Sequence, residues 1–257
     1  MGKLLKDKNI LIMGVANKWS IAWGIAKKFI KEEANLIFTY LGDKSRLHLE
    51  KFLMEEGIDN PKLIECDVSK DEDIENAFKE LRKEIDVLHG VVHSIAFANK
   101  DELQGFYYNT SREGYLVAQD ISSYSLVAIS RNAQPLMTEG GSIVTLSYLG
   151  AERAITNYNV MGVAKAALEA SVRYLAVDLG INNVTVNSIS AGPVKTTSAK
   201  GIRDFTKLLR GFEDVAPLKR LVTTEEIANT ALFLCSDLGT GVTGENIHVD
   251  CGYHIVG

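Results

Sequence analysis

A chain of 257 residues with 46% hydrophobic and 24% charged side chains can bury a sizeable core and has the balance of a globular protein. Its net charge of −5 argues against broad binding to nucleic acid or to an anionic membrane, and no apolar run approaches the roughly 20 residues that span a bilayer. Cys66, Cys235 and Cys251 are an odd number at no motif spacing, which argues against a disulfide framework or zinc knuckle and fits reduced, cytoplasmic thiols.

The opening Met1-Gly-Lys-Leu-Leu-Lys has no apolar core for a signal peptide and no Ser or Thr at position 6 for myristoylation. From there, short apolar runs alternate with longer helical patterns. Asn9 to Gly14 reads as a buried strand and Ser20 to Glu33 as a helix; Asn35 to Tyr40 and Lys44 to Glu56 repeat the unit. Lys62 to Cys66, Asp71 to Glu84 and the strand Val87 to Ile95 continue it. A helix around Gly114–Met137 leads to the strand Ser142–Leu146, and a long helix from about Tyr158 to Leu179 to the strand Val184–Ser188. A last helix, about Thr224–Ser236, precedes a strand at Asn246–Val249. Seven strands with crossover helices, only four prolines and no linker or repeat predict an α/β fold. The expected architecture is a single Rossmann-type doubly wound domain over residues 1–257, with a seven-stranded parallel sheet. The connection from Pro193 to Pro217 is too long for an ordinary α/β unit and follows a strand's carboxyl end, so it reads as a substrate lid.

The loop after the first strand, Gly14-Val-Ala-Asn-Lys-Trp-Ser20-Ile21-Ala22-Trp23-Gly24, lacks the G-x-G-x-x-G pattern. It still offers a glycine at the strand end and a helix N-terminus able to hold a pyrophosphate, with Ser20 as cap. Asp67 follows the third strand, where a carboxylate can accept from an adenine amino group or cap the next turn. His93-Ser94-Ile95-Ala96-Phe97-Ala98 puts small residues after the fourth, where a flat cofactor lies against backbone. Three such signals at successive carboxyl ends of strands point to a nicotinamide dinucleotide. Tyr40-Leu41-Gly42-Asp43 has no basic residue at the immediate end of the second strand, which favours NADH over NADPH, although Lys44 and Arg46 follow.

Tyr158 and Lys165 are seven residues apart, about 700° of helix, so one helical face would carry both. An ammonium beside a phenol is expected to make it more acidic, which suits a donor to a developing oxyanion. His89 and His93 are spaced like a metal pair, but four strand residues span roughly 13 Å, so core or pocket roles are expected and no metal.

The Tyr-x6-Lys pair, Tyr148 upstream and Asn157-Tyr-Asn-Val-Met-Gly closely resemble the bacterial NADH-type enoyl-acyl-carrier-protein reductases of the short-chain dehydrogenase/reductase superfamily. The Gly14 loop, Ser190-Ala-Gly-Pro193 and Thr243 to Asp250 carry the resemblance along essentially the whole chain, and His93 to Ala98 is most similar to Gram-positive enzymes. The resemblance implies cofactor contacts at Gly14, Ser20, Ile21, Leu41, Asp67, Val68, Ser94, Ile95 and Lys165, and at Val194, Lys195, Thr196, Thr197 and Ser198. Leu41 stands where relatives often carry glutamine or a basic residue, Lys195 replaces a frequent arginine and Thr197 a frequent leucine. Ala98, Tyr148 and Tyr158 match substrate positions, and Tyr148, Tyr158 and Lys165 form the implied catalytic set. The implied reaction sends hydride from NADH, or NADPH, to the β-carbon of a trans-2-enoyl thioester, with Tyr158 donating to the enolate oxygen and Lys165 holding the nicotinamide ribose.

A ketone or aldehyde reductase on the same scaffold would carry Tyr-x3-Lys, but Gly162 stands at that position. A non-catalytic NAD(H) sensor would dispense with Tyr158 or Lys165, and both are present. The implied partner, acyl carrier protein, is acidic; Lys200, Arg203, Lys207 and Arg210 recur at helical spacing in the lid and could receive it. Small residues follow Tyr158 on the long helix (Gly162, Ala164, Ala166, Ala167 and Ala170), permitting close packing within the fold or between subunits. A homotetramer is implied by the relatives.

Overall fold

The protein was analysed as a computed structural model that describes residues 3–194 and 205–256. Seven parallel strands form one sheet in the order β3-β2-β1-β4-β5-β6-β7. They are β1 (Asn9–Met13), β2 (Asn35–Tyr40), β3 (Lys62–Glu65), β4 (Gly90–His93), β5 (Gly141–Ser147), β6 (Val184–Ala191) and β7 (Asn246–Val249). The sequence-predicted doubly wound sheet is therefore present, and its order reverses between β1 and β4. At such a switch point the loops leaving the two strands diverge and open a crevice.

Both faces of the sheet are covered, as an all-parallel sheet requires. On β1, Ile10 and Ile12 point to one layer and Leu11 and Met13 to the other, the period-two alternation of a strand. The first layer packs Trp23 and Phe29 of α1 (Ile21–Lys31), Leu53 of α2 (Gly42–Glu55) and Ile227 of α8 (Thr224–Cys235). The second packs Ile74 of α3 (Asp71–Glu84), Ile129 of α5 (Ser125–Ala133) and Leu168 of α6 (Asn159–Gly180). Local chemistry sets the helix starts. Ser20 caps α1 by accepting from the Trp23 N–H at 3.3 Å. Thr223 and Glu226 form a capping box on α8, and Arg220 grips Glu226 through both carboxylate oxygens at 2.9 and 2.6 Å. Helix α3 begins with Asp71, Glu72 and Asp73 and ends with Arg82 and Lys83, matching its dipole.

Three expectations are corrected. The helix expected over Gly114–Met137 is two helices, α4 (Arg112–Gln119) and α5, joined by a wide π-type turn at Asp120–Tyr124. There the Ser125 N–H reaches back to the Asp120 carbonyl, and the Ser125 hydroxyl donates to Ile121 O at 2.7 Å. The strand expected over Val87–Ile95 shrinks to β4, and before it Leu88 N donates to Leu136 O, away from the neighbouring strands. Helix α6 starts at Asn159, so Tyr158 is its cap residue and not a member of the helical face. Part of the predicted lid is helical, as α7 (Phe205–Val215), and Phe212 there stacks on Tyr253 with centroids 3.7 Å apart. Lys195 to Ser198, Lys200 and Arg203 lie outside the described residues, as do the side chains of Lys207 and Arg210. No described helix is long and apolar enough to cross a membrane.

Phe29 is fully buried in the first layer. Phe29→Ala is expected to cost about 3–5 kcal/mol of unfolding free energy, read as a lower urea midpoint with little change in m.

Candidate active site

A hollow of about 230 Å³ opens at the carboxyl ends of β1, β4 and β5, over the switch point. It gathers Gly14, Ser20 and Ile21 from the first loop and helix start, Ser94 and Ile95 from the fourth strand's exit, Tyr158 from the cap of α6 and Lys165 from α6 itself. A larger hollow of about 410 Å³ lies at the opposite end of β5 and β6 and holds none of these residues.

Gly14 has φ of +88°, and a Cβ there would collide with the Ser94 carbonyl. Glycine is therefore required twice over, by conformation and by the close approach of two strand exits. Ser20 donates to Asn17 O at 2.7 Å while capping α1, which closes the loop onto the helix start. First-turn N–H groups of a helix have no partner within it, and such a helix start can receive an anionic pyrophosphate. The lining thus fits a dinucleotide.

The tyrosine side is built on β5 and the turn after it. Asn157 has φ of +62°, a left-handed conformation that asparagine tolerates and that turns the chain into Tyr158. The Tyr158 ring meets Tyr148 edge to face with centroids 4.9 Å apart. Gly150 leaves the space its ring occupies, since a Cβ at position 150 would fall against that ring. A Cβ at Gly162 would stand 2.7 Å from the Gly150 carbonyl oxygen. No lysine fits at position 162 without backbone movement, so the Tyr-x3-Lys arrangement is sterically excluded here. Ala98 is half-buried in the cluster that contains Tyr158, Val160 and Met161.

Lys165 is 6% exposed, and its ammonium donates to the Leu146 carbonyl at 2.7 Å. Burial lowers it to about 8, with Glu169 acting in the opposite direction. Burial, then Tyr148 and Glu169, push the Tyr158 phenol up. The expected acidification by Lys165 is not seen: Lys165 is not among the groups that shift Tyr158, and desolvation of the phenolate dominates. At neutral pH Tyr158 is therefore a protonated hydroxyl able to donate. His93 is fully buried, with Nδ1 3.0 Å from Thr145 Oγ1 and Nε2 2.8 Å from Ser125 Oγ, and burial with Lys165 nearby lowers it to about 3. It is a neutral core residue. His89 accepts from Asn9 N at 3.0 Å through Nδ1, at the far end of the strands.

Other predicted cofactor residues lie apart from the hollow. Leu41 is 60% exposed at the start of α2. Asp67 accepts from Ser69 N and Oγ at 3.0 and 2.6 Å and pairs with Lys70 at 3.2 Å, so it caps the turn after β3. Val68 and Val194 are buried, Val194 in the first core layer. Sequence reasoning missed Ser147, Glu169, Gly150 and Glu65. A buried carboxylate four residues beyond Lys165 was detectable from spacing; Glu65 reaches Gly42 N at 3.1 Å from a neighbouring strand, which spacing does not reveal.

Gly14→Ala is expected to lower stability by about 1–3 kcal/mol through φ strain and the clash with Ser94, measured by urea melts.

Residues 14–254 match the family described as enoyl-(acyl carrier protein) reductase. The chain is 54% identical to the enoyl-(acyl-carrier-protein) reductase (NADH) of Bacillus subtilis, covering 98% of this chain and 97% of that one. It is 53% identical to the enzyme named for NADPH in Staphylococcus aureus strain MRSA252, with 98% of each covered. The crystal structure of the Bacillus cereus enoyl-acyl carrier protein reductase with NADP+ and indole naphthyridinone superposes with a TM-score of 0.97 at 53% identity, covering 100% of both chains. Fold, site geometry and near-complete similarity together place this chain in the enoyl-(acyl-carrier-protein) reductase family.

Proposed function

We propose that the protein reduces the double bond of a trans-2-enoyl thioester carried on acyl carrier protein, as a step of type II fatty acid synthesis, with NADH as reductant. The observation that carries this reading is the hollow joining Gly14, Tyr158 and Lys165, with the ketone-reductase spacing blocked at Gly162. Gly14, Ser20, Ile21, Ser94, Ile95 and Lys165 would hold the cofactor there, and Leu41, Asp67, Val68 and Val194, outside that lining, are proposed for its periphery. A reduced nicotinamide supplies hydride, which adds to the substrate β-carbon and leaves electron density on the thioester oxygen.

The chain's own groups then answer that charge. Tyr158, kept protonated by its surroundings, donates to the enolate oxygen and stabilises it. Lys165 adds positive potential and two ammonium donors beyond the one given to Leu146 O. Tyr148 and Ala98 shape the acyl side, Tyr148 bracing the Tyr158 ring. The α-carbon then takes its proton from the Tyr158 hydroxyl, reprotonated from solvent, or directly from water.

For the reductant, Glu65 supports NADH. Its carboxylate accepts from Gly42 N at the end of β2, where a 2′-phosphate would meet like charge. Arg46 sits over the Tyr40 ring at 5.9 Å. The 193–217 segment is proposed as the substrate lid of a single domain, in a cytoplasmic enzyme. Tyr174, Val177 and Ile181, 76%, 80% and 87% exposed along α6 and just past its end, favour self-association, for which we propose a homotetramer.

Mixing the enzyme with crotonyl thioester and NADH should deplete the reduced-cofactor absorbance, and no depletion with either NADH or NADPH overturns the function. Tyr158→Phe is expected to lower kcat about 10²–10³-fold with cofactor binding retained. Glu65→Gln should shrink the NADH-to-NADPH ratio of kcat/KM about five- to tenfold, and an unchanged ratio removes Glu65 from the discrimination.

A further inference from the structure

Helix α6 fastens to the end of β5 twice, through side chains one turn apart. Lys165 donates to the carbonyl of Leu146, and Glu169 accepts from the hydroxyl of the next residue, Ser147, at 2.5 Å. Lys165 and Glu169 are both buried, 6% and 9% exposed. Burial raises the Glu169 carboxyl, and the hydroxyl bond from Ser147 acts in the opposite direction, towards the carboxylate. A carboxylate held by a strand hydroxyl, one turn from a buried cation, ties both side chains to the same strand end.

We propose that Glu169 is a positioning residue: it anchors α6 to Ser147 and keeps Lys165 in its charged form at the mouth of the cofactor hollow. The proposal rests on the reading of Lys165 as a cofactor-holding group. Burial alone pulls the Lys165 ammonium down, and Glu169 resists that pull. The groups facing Glu169 are Lys165 and Arg173 on α6, Glu152 after β5 and His248 on β7. Arg173 donates to the Glu169 backbone carbonyl at 3.1 Å, and His248 Nε2 lies 2.7 Å from Glu152 Oε1. Facing Lys165 from β4 is His93, neutral at its lowered value of about 3, and Tyr158 faces Glu169 from the helix start.

The sign follows from the ammonium. Below about pH 8 Lys165 is charged and binds the cofactor; as pH rises through that value the charge and the affinity are lost. Removing the anion lowers the midpoint. NAD+ affinity, followed by tryptophan fluorescence between roughly pH 6 and 10, gives the readout. Glu169→Gln keeps an oxygen for Ser147 and loses only the charge. Its midpoint should fall by about one unit, with affinity at pH 6 within about twofold of the wild type. Glu169→Asp keeps the charge, and its midpoint should stay within about 0.3 unit. An unmoved midpoint in the glutamine variant, or an affinity loss equal at every pH, overturns the proposal, because a purely structural role acts evenly across pH. The wild type gives a reading that needs no variant: affinity flat to about pH 10 also overturns it. Because binding is measured and not turnover, the expected profile in an enzyme that reduces no enoyl thioester would refute the function and still support the role of Glu169.

Discussion

An ammonium removed from water must recover the hydrogen bonds it has lost, or it sheds its proton. Lys165 meets this constraint through the carbonyl of Leu146, the penultimate residue of β5. That carbonyl is rigid because β5 is paired along its whole length with β6 and, at its start, with β4. The position of one buried cation is thereby inherited from the centre of the sheet. The switch-point crevice, the glycine-lined first loop and the tyrosine turn all face that fixed charge, so the site is defined by strand geometry more than by loop conformation.

The tyrosine side follows a different rule, because its ring is held by absences. Gly150 and Gly162 contribute no side chains, and the space they leave lets the Tyr158 ring settle against Tyr148. The β4 exit is tied down comparably, the Ser122 hydroxyl both accepting from Phe97 N and donating to Phe97 O at 2.9 Å. Ser122 belongs to the wide turn between α4 and α5, so an irregular helix supports the loop that lines the hollow.

Much of this was legible in the residues. Seven alternations of apolar strand and helix predicted the sheet, and Gly14, Ser20, Ser94, Tyr158 and Lys165 line one hollow. What escaped reading has physical reasons. The wide turn at Asp120–Tyr124 carries an ordinary helical pattern, and only side-chain bonds from Ser122 and Ser125 favour the break. Tyr158 lies one residue outside its helix because Asn157 adopts a left-handed backbone, which periodicity does not register. The raised Tyr158 phenol is a consequence of burial, and a helical-face argument sees only the neighbouring charge. Glu65 approaches Gly42 across strands, where the hydrogen bond depends on register and not on sequence distance.

The contact between Gly162 and the Gly150 carbonyl has an evolutionary consequence. Two chemistries on related scaffolds differ by where a lysine stands on one helix, three residues along that helix. Moving the amine from position 165 to 162 would first require the backbone at 150 to retreat, and that backbone supports the tyrosine ring used by either chemistry. A single substitution at position 162 therefore meets that backbone before it can serve the second chemistry. Such a barrier isolates this lineage's reaction from its neighbour's, even though the fold accommodates both.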